Sequence, residues 1–368
     1  MSLPISPTSL FTSAFASASR LCLISSLPRG AQLAARLIAI MGFVTCTLQS
    51  LKADTVYVTS QSTNKLMSFD TAAPSTVATL SSSLFKPSAM AQGPDGNLYI
   101  VEWGDGDTVD PRISRYNPTT HQLSVVATLD YATQFNPSSL AFRTSAQGSE
   151  LLIGRLSSGP ILKVSGWNGG SAAVSDYTSG LSLDGGLGLA VAADGTLYVS
   201  DTVYNYNSSL GYAVASGKIV NFDASGAYIG IVATDGSGQG GLSGPTGLLL
   251  SGQMLYSTSV MNGKLFATNL GTESTAQFAT TGYPFEVGPI AQLSNGLLLA
   301  GSVSGQSNLI YQFSANGSMA GTFGHSDFGT VSGIVAVPEP QTILLSWFGI
   351  ACMAGWLRGK RTARATHA

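Results

Sequence analysis

The sequence predicts an all-β protein built as a six-bladed β-propeller, closed by pairing a strand near the N-terminus with one near the C-terminus. Three observations predict it. A strand–turn–strand phrase recurs at the spacing of propeller repeats. The chain has 43 glycines while only 10% of its residues are charged, and Ser and Thr fill the gaps between short apolar runs. That is the pattern of turn-rich β structure rather than of helices with charged outer faces. Finally, the two ends of the central region carry complementary fragments of one repeat.

The phrase is fullest in Pro87-Ser-Ala-Met-Ala-Gln-Gly-Pro-Asp-Gly-Asn-Leu-Tyr-Ile-Val-Glu102 and Gly188-Leu-Ala-Val-Ala-Ala-Asp-Gly-Thr-Leu-Tyr-Val-Ser-Asp201. Weaker copies open at Pro137, Pro245 and Gly288. Each is an apolar strand, a glycine turn and a second apolar strand, followed by two more strands, such as Lys218–Phe222 and Tyr228–Ala233. Four strands make one propeller blade, so five blades are visible. Thr55–Thr59, Lys65–Phe69 and Ser75–Leu80 match the second, third and fourth strands of a unit that lacks its first, and Gly333–Val337 is a first strand with nothing after it. Joining the two gives the sixth blade and leaves no open edge in the ring.

The chain divides into a leader region (1–53), the propeller (54–337) and a tail (338–368). In the leader, Arg29 and Arg36 precede the apolar run Leu37–Leu48, which ends before Gln49-Ser-Leu-Lys-Ala53. This is the order of a secretory signal peptide and predicts cleavage between Ala53 and Asp54. In the tail, Val337-Pro338-Glu339-Pro340 is followed by an uncharged apolar segment, 341–357, and then by Arg358, Lys360, Arg361 and Arg364. The apolar segment predicts a transmembrane helix, and the basic cluster a cytoplasmic stop. The three cysteines, Cys22, Cys46 and Cys352, lie outside the propeller. No disulfide can therefore staple it, and its hydrophobic core must hold it together.

Between Asp54 and Pro338 there are 9 Lys and Arg against 18 Asp and Glu, a net charge of −9. That balance argues against a nucleic-acid partner, which needs clustered cations to replace phosphate counterions. The other basic residues lie in the terminal segments, as membrane targeting requires.

The tail resembles the PEP-CTERM sorting signal, with its Pro-Glu-Pro, single membrane span and basic end all in order. The resemblance implies delivery by export machinery and recognition of Pro338-Glu339-Pro340 by an exosortase. It also implies release or attachment at the cell surface of a Gram-negative bacterium, often alongside exopolysaccharide. The body's Asp-Gly, Leu-Tyr-Val and following acid resemble NHL-repeat propellers and the related gluconolactonase-like propellers. That second resemblance implies architecture more than activity, because such propellers host both hydrolases and binding scaffolds.

Two long segments after second strands are expected to be loops carrying candidate sites. Glu102, Asp105, Asp107 and Asp110 suit a hard divalent cation such as Ca²⁺, or else they make and cap turns. Their spacing is not that of an established calcium loop, which favours the turn role. Trp103 with Tyr204 and Tyr206 offers a stacking platform for a flat ligand or, alternatively, a cover for the rim of the core. Asp201 is expected to hold a blade turn. Gluconolactonase-like propellers hold a metal over the channel with an acid at one blade's opening. Here only Glu286-Val-Gly288-Pro289 is similar to that opening, in the sixth repeat, and Gly333–Val337 carries no acid. His121 and His325 are the only histidines of the body, and neither lies in a nucleophile-elbow context. The leading expectation is a surface or matrix protein that presents its loops to an exopolysaccharide or a protein partner. The alternative is a metal-dependent hydrolase or lactonase acting at the channel.

Overall fold

Alternating burial marks the strands. In β1 (Asp54–Ser60), Val56 and Val58 are fully buried, while Thr55 and Tyr57 beside them are partly exposed. Period-two patterning of this kind turns one face of a strand inward. The computed structural model describes residues 53–338 except 132–135, 146–147, 208–211, 237–240, 285–286 and 305–307, and it describes 204–207 and 212–215 as backbone only. The apolar run at 37–48, the predicted helix at 341–357, Glu339, Pro340 and the basic cluster lie outside the described residues.

Six four-stranded antiparallel sheets form the six blades. Blade 1 joins β1 to β2 (Lys65–Asp70) and β3 (Ala78–Ser81). Blade 2 is β4 (Pro87–Gln92), β5 (Leu98–Glu102), β6 (Arg112–Asn117) and β7 (Gln122–Thr128). Blade 3 is β8 (Pro137–Ser145), β9 (Gly148–Arg155), β10 (Leu162–Ser165) and β11 (Ala173–Asp176). Blade 4 is β12 (Gly186–Val191), β13 (Leu197–Asn207), β14 (Tyr212–Phe222) and β15 (Tyr228–Thr234). Blade 5 is β16 (Pro245–Ser251), β17 (Met254–Ser259), β18 (Lys264–Asn269) and β19 (Ser274–Thr280). Blade 6 is β20 (Ile290–Gln292), β21 (Leu298–Gly301), β22 (Leu309–Phe313) and β23 (Met319–Gly324). The last strand, β24 (Val331–Pro338), returns to blade 1 as its innermost strand and pairs with β1 from Asp54↔Pro338 to Ser60↔Val331.

The core is a ring of six hydrophobic clusters, one between each pair of neighbouring blades. Tyr99, Leu140 and Trp167 pack between blades 2 and 3, and Leu265, Leu298 and Tyr311 between blades 5 and 6. The seam between blades 6 and 1 is filled in the same way by Val56, Met67 and Phe69 against Leu299, Ile310 and Phe323. A chain that closed less completely would leave one of these clusters open to water.

Two details differ from the sequence reading. The expected loop 201–207 is strand: β13 and β14 stay paired out to Asn207↔Tyr212, because Thr, Val and Tyr at alternate positions favour the extended ladder over a turn. The expected closing strand also runs one residue further, through Pro338. A proline fits there because β24 is an edge strand and Pro338 is its last residue, so the missing N–H interrupts no ladder.

The register also sorts the two faces of the disc. First strands begin, and second strands end, on what we term the upper face, as in Pro87↔Glu102 and Pro137↔Arg155. Asp54 and Pro338 pair at the opposite, lower face. The β13–β14 ribbon extends past Gly186↔Asp201 and so rises from the upper face.

Candidate functional site

The innermost strands surround a cavity of about 490 Å³ on the propeller axis. Each blade contributes a large apolar side chain at an equivalent place in its wall: Met90, Leu140, Leu189, Leu248, Ile290 and Ile334. Five of these are the fourth residue of their strand, and Ile290 stands at the start of β20. Their equivalent positions make a ring, and they are only 5–9% exposed. Above the ring, the mouth is lined by Trp103, Leu156, Val260, Val303 and Gln61, which follow the second strands. Small residues between these side chains let the strands approach closely. A Cβ on Gly188 would lie 1.9 Å from the carbonyl oxygen of Thr246 in the next blade.

Several hydroxyls of this wall and of the strands behind it are engaged between blades. Ser88 donates to the carbonyl of Pro137. Ser138 and Ser139 both donate to that of Gly186, at 2.8 and 2.7 Å. Ser200 donates to Thr246 O at 2.6 Å, and Thr258, which is also bonded to Thr246, donates to Gly288 O at 2.7 Å. These bonds satisfy carbonyls at strand ends that have no ladder partner. Among the described residues, no ionisable side chain lines the cavity. Such a wall suits an uncharged, largely apolar group, because burying a charge or an unpaired polar atom there costs several kcal/mol.

The four carboxylates proposed as a cation site have separate roles. Glu102 ends β5 and is fully buried. It accepts from Phe85 N at 2.6 Å and from Ser114 Oγ, and it pairs with Arg112 at 3.1 Å. Asp201, within β13 at the position that pairs with Gly186, is held in a similar way, accepting from Asp184 N at 2.6 Å and Gly185 N at 3.1 Å, with Lys218 at 3.4 Å. The two acids thus anchor the segment leading into the first strand of their own blade.

Asp105 caps its own exposed loop, accepting from Val109 N at 2.7 Å, Asp107 N at 2.9 Å and Thr108 Oγ1 at 2.7 Å. These bonds, led by that from Val109, hold its carboxyl well below the usual carboxylate range. Asp107 and Asp110 are exposed. Among the described residues, no three His, Cys, Asp or Glu side chains gather as a metal site would require. Ca²⁺ is therefore expected to leave the melting temperature unchanged, and Asp105→Ala with Asp107→Ala to leave that indifference intact. Thermal scans across a Ca²⁺ series check this, since a cation bound preferentially to the folded state raises Tm with concentration.

Trp103 leaves the carboxylate loop and joins the channel. Its Nε1 donates to Pro137 O at 2.8 Å, bridging blades 2 and 3, and its ring is part of the mouth. Tyr204 and Tyr206 lie on the β13 backbone opposite Ala215 and Ala213, and their side chains are outside the described part. Glu286 is also outside it. His121 Nδ1 is 2.9 Å from Tyr116 OH, and His325 Nδ1 accepts from Asp327 N at 3.2 Å. The ring of apolar residues was missed by the sequence reading, although a signal was present in five of the six blades: one large aliphatic residue at the fourth position of the first strand.

No family model and no curated protein matches this chain. Among solved structures, a chain of a nidogen/laminin complex superposes with a TM-score of 0.59 at 13% identity, covering 77% of this chain and 98% of that one. The fold is shared. At that identity the likeness extends to the propeller alone and leaves ligands and partners open.

Proposed function

We propose that this protein is an exported binding scaffold that works at the cell surface or in the matrix, with the upper face of the propeller as its recognition surface. The observation that carries the proposal is the channel: an accessible cavity of about 490 Å³ whose described wall is apolar and carries no acid, base or metal ligand. Pockets of this volume and apolar character bind ligands, whereas hydrolysis of a lactone or ester needs groups to activate water and stabilise charge. In this reading the occupant of the channel is uncharged and apolar, and the ribbon rising beside the mouth widens the contact surface.

Delivery rests on the terminal segments. Export machinery removes the leader, the apolar tail holds the chain in the membrane, and an exosortase processes it at Pro338-Glu339-Pro340. Association with exopolysaccharide or other surface proteins follows from the resemblance of that tail. Because Asp54 and Pro338 share the lower face, a body tethered through its tail turns the channel mouth away from the attachment point.

Trp103 makes the binding half of this proposal testable. Replacement by Ala removes the one aromatic residue of the described mouth and is expected to weaken binding about tenfold or more, the equivalent of roughly 1.4 kcal/mol of lost burial. Titration with extracellular matrix fractions from the producing cell, followed by Trp103 fluorescence in the wild type and by sedimentation in both proteins, checks it. Equal affinity of the two proteins would exclude the channel mouth as the contact surface.

A further inference from the structure

Asp54 stands where the leader reading places the first residue of the mature chain, and it is 1% exposed. Its Oδ2 accepts a 2.7 Å hydrogen bond from Ser294 N in blade 6, whereas its Oδ1 is buried with no partner. The backbone is held as firmly: Asp54 N donates to Thr71 Oγ1 at 2.9 Å, its carbonyl accepts from Thr71 N at 3.0 Å, and Pro338 of the closing strand lies opposite. Blade 6, the first strand and the closing strand therefore meet at this residue. Among the described residues no Lys or Arg forms an ion pair with it; the ion pairs of the propeller join other residues. A buried carboxylate oxygen with no donor is costly and calls for an explanation.

We infer that removal of the leader completes this site: the α-ammonium created on Asp54 is the missing partner of the buried Asp54 carboxylate, so that processing locks the seam at which the ring closes. The inference rests on reading residues 1–53 as a cleaved leader. Hydrolysis by a signal peptidase adds one water across the Ala53–Asp54 peptide bond. Ala53 departs with the new carboxylate, and Asp54 keeps the amine, which takes up a proton at neutral pH because an α-amine titrates at about 8. Before cleavage the nitrogen is an amide with a single hydrogen, already engaged by Thr71 Oγ1. After cleavage it has three donors. One stays on Thr71 and another reaches Oδ1 of the same residue, forming a charge-assisted bond, which is about twice as strong as a neutral one.

The test uses the exported protein as recovered from its host, with its N-terminus mapped by mass spectrometry. Near pH 6.5 the α-amine can be acetylated in preference to lysines, which titrate at about 10.4. The acetyl group replaces the Ala53 carbonyl and restores the amide of the unprocessed chain. Acetylation is expected to lower Tm by about 2 °C or more and to have no effect in Asp54→Asn. A chain processed one residue earlier, so that it begins at Ala53, is expected to melt with the acetylated form; this comparison stands even if Asp54→Asn fails to fold. Identical melting of the acetylated and free wild-type proteins, or an equal drop in Asp54→Asn, overturns the inference and leaves the export reading standing. A mapped terminus other than Asp54 overturns the inference together with the cleavage position on which it rests.

Discussion

Deleting Ser332–Val337 is expected to unfold the whole propeller rather than loosen one blade. The segment forms most of β24, whose pairing with β1 is, among the described residues, the only ladder joining the two ends of the ring. Its loss uncovers the edge of β1 and removes Ile334 from the cluster that also holds Val56, Val58, Leu299 and Phe328. Burial of one large aliphatic side chain contributes about 1.5–3 kcal/mol. The lost ladder bonds add about 1 kcal/mol each, and the exposed faces of blades 1 and 6 add more. The sum is of the same order as the total stability of a domain, about 5–15 kcal/mol. A fall in Tm of more than about 10 °C, with loss of cooperativity, is the expected outcome in calorimetry or thermal circular dichroism. An unchanged melting curve would show that the ring holds without its closing strand. The deletion also leaves an unpaired inner edge, so the variant is expected to aggregate on heating.

The second large effect concerns the tail. Replacing Pro338-Glu339-Pro340 with three alanines is expected to abolish tail removal and surface delivery while leaving membrane insertion intact, because the apolar segment 341–357 is untouched. The structure refines how the motif is presented. Pro338, the first residue of the motif, is the last residue of β24 and is exposed at the lower face. A proline at this junction keeps the preceding residue extended and donates no hydrogen bond. Mass spectrometry of wild-type and substituted proteins from the native host reads the outcome. An intact C-terminus through Ala368 in the delivered wild-type protein would refute exosortase processing and leave a plain membrane anchor.

What was legible in the sequence was the part of the fold written locally. Leu98–Glu102 and Leu197–Asp201 carry their strand pattern and turn chemistry within a few residues, so the repeat, the number of blades and the fragment completing the sixth could be read without coordinates. The acid that follows the apolar core of the second strand was also legible in part. Asp201 was expected to hold a turn, and Glu102 does the same work; its neighbours Asp105, Asp107 and Asp110 read as a cation site or, by preference, as turn-capping carboxylates, and Asp105 caps its own loop.

Only the tertiary structure decided the character of the channel. The partners of its hydroxyls lie 30–49 residues away, in the next blade, and no local pattern reveals whether a serine faces a ligand or a neighbour's carbonyl. Successive members of the aliphatic ring are likewise tens of residues apart, and 34 residues separate Trp103 from the carbonyl that turns it toward the mouth. Strand pattern follows from bonds between adjacent residues and could be read directly. Burial, hydrogen-bond satisfaction and the placing of Asp54 and Pro338 on one face follow from ring closure, which exists only once all six blades have packed.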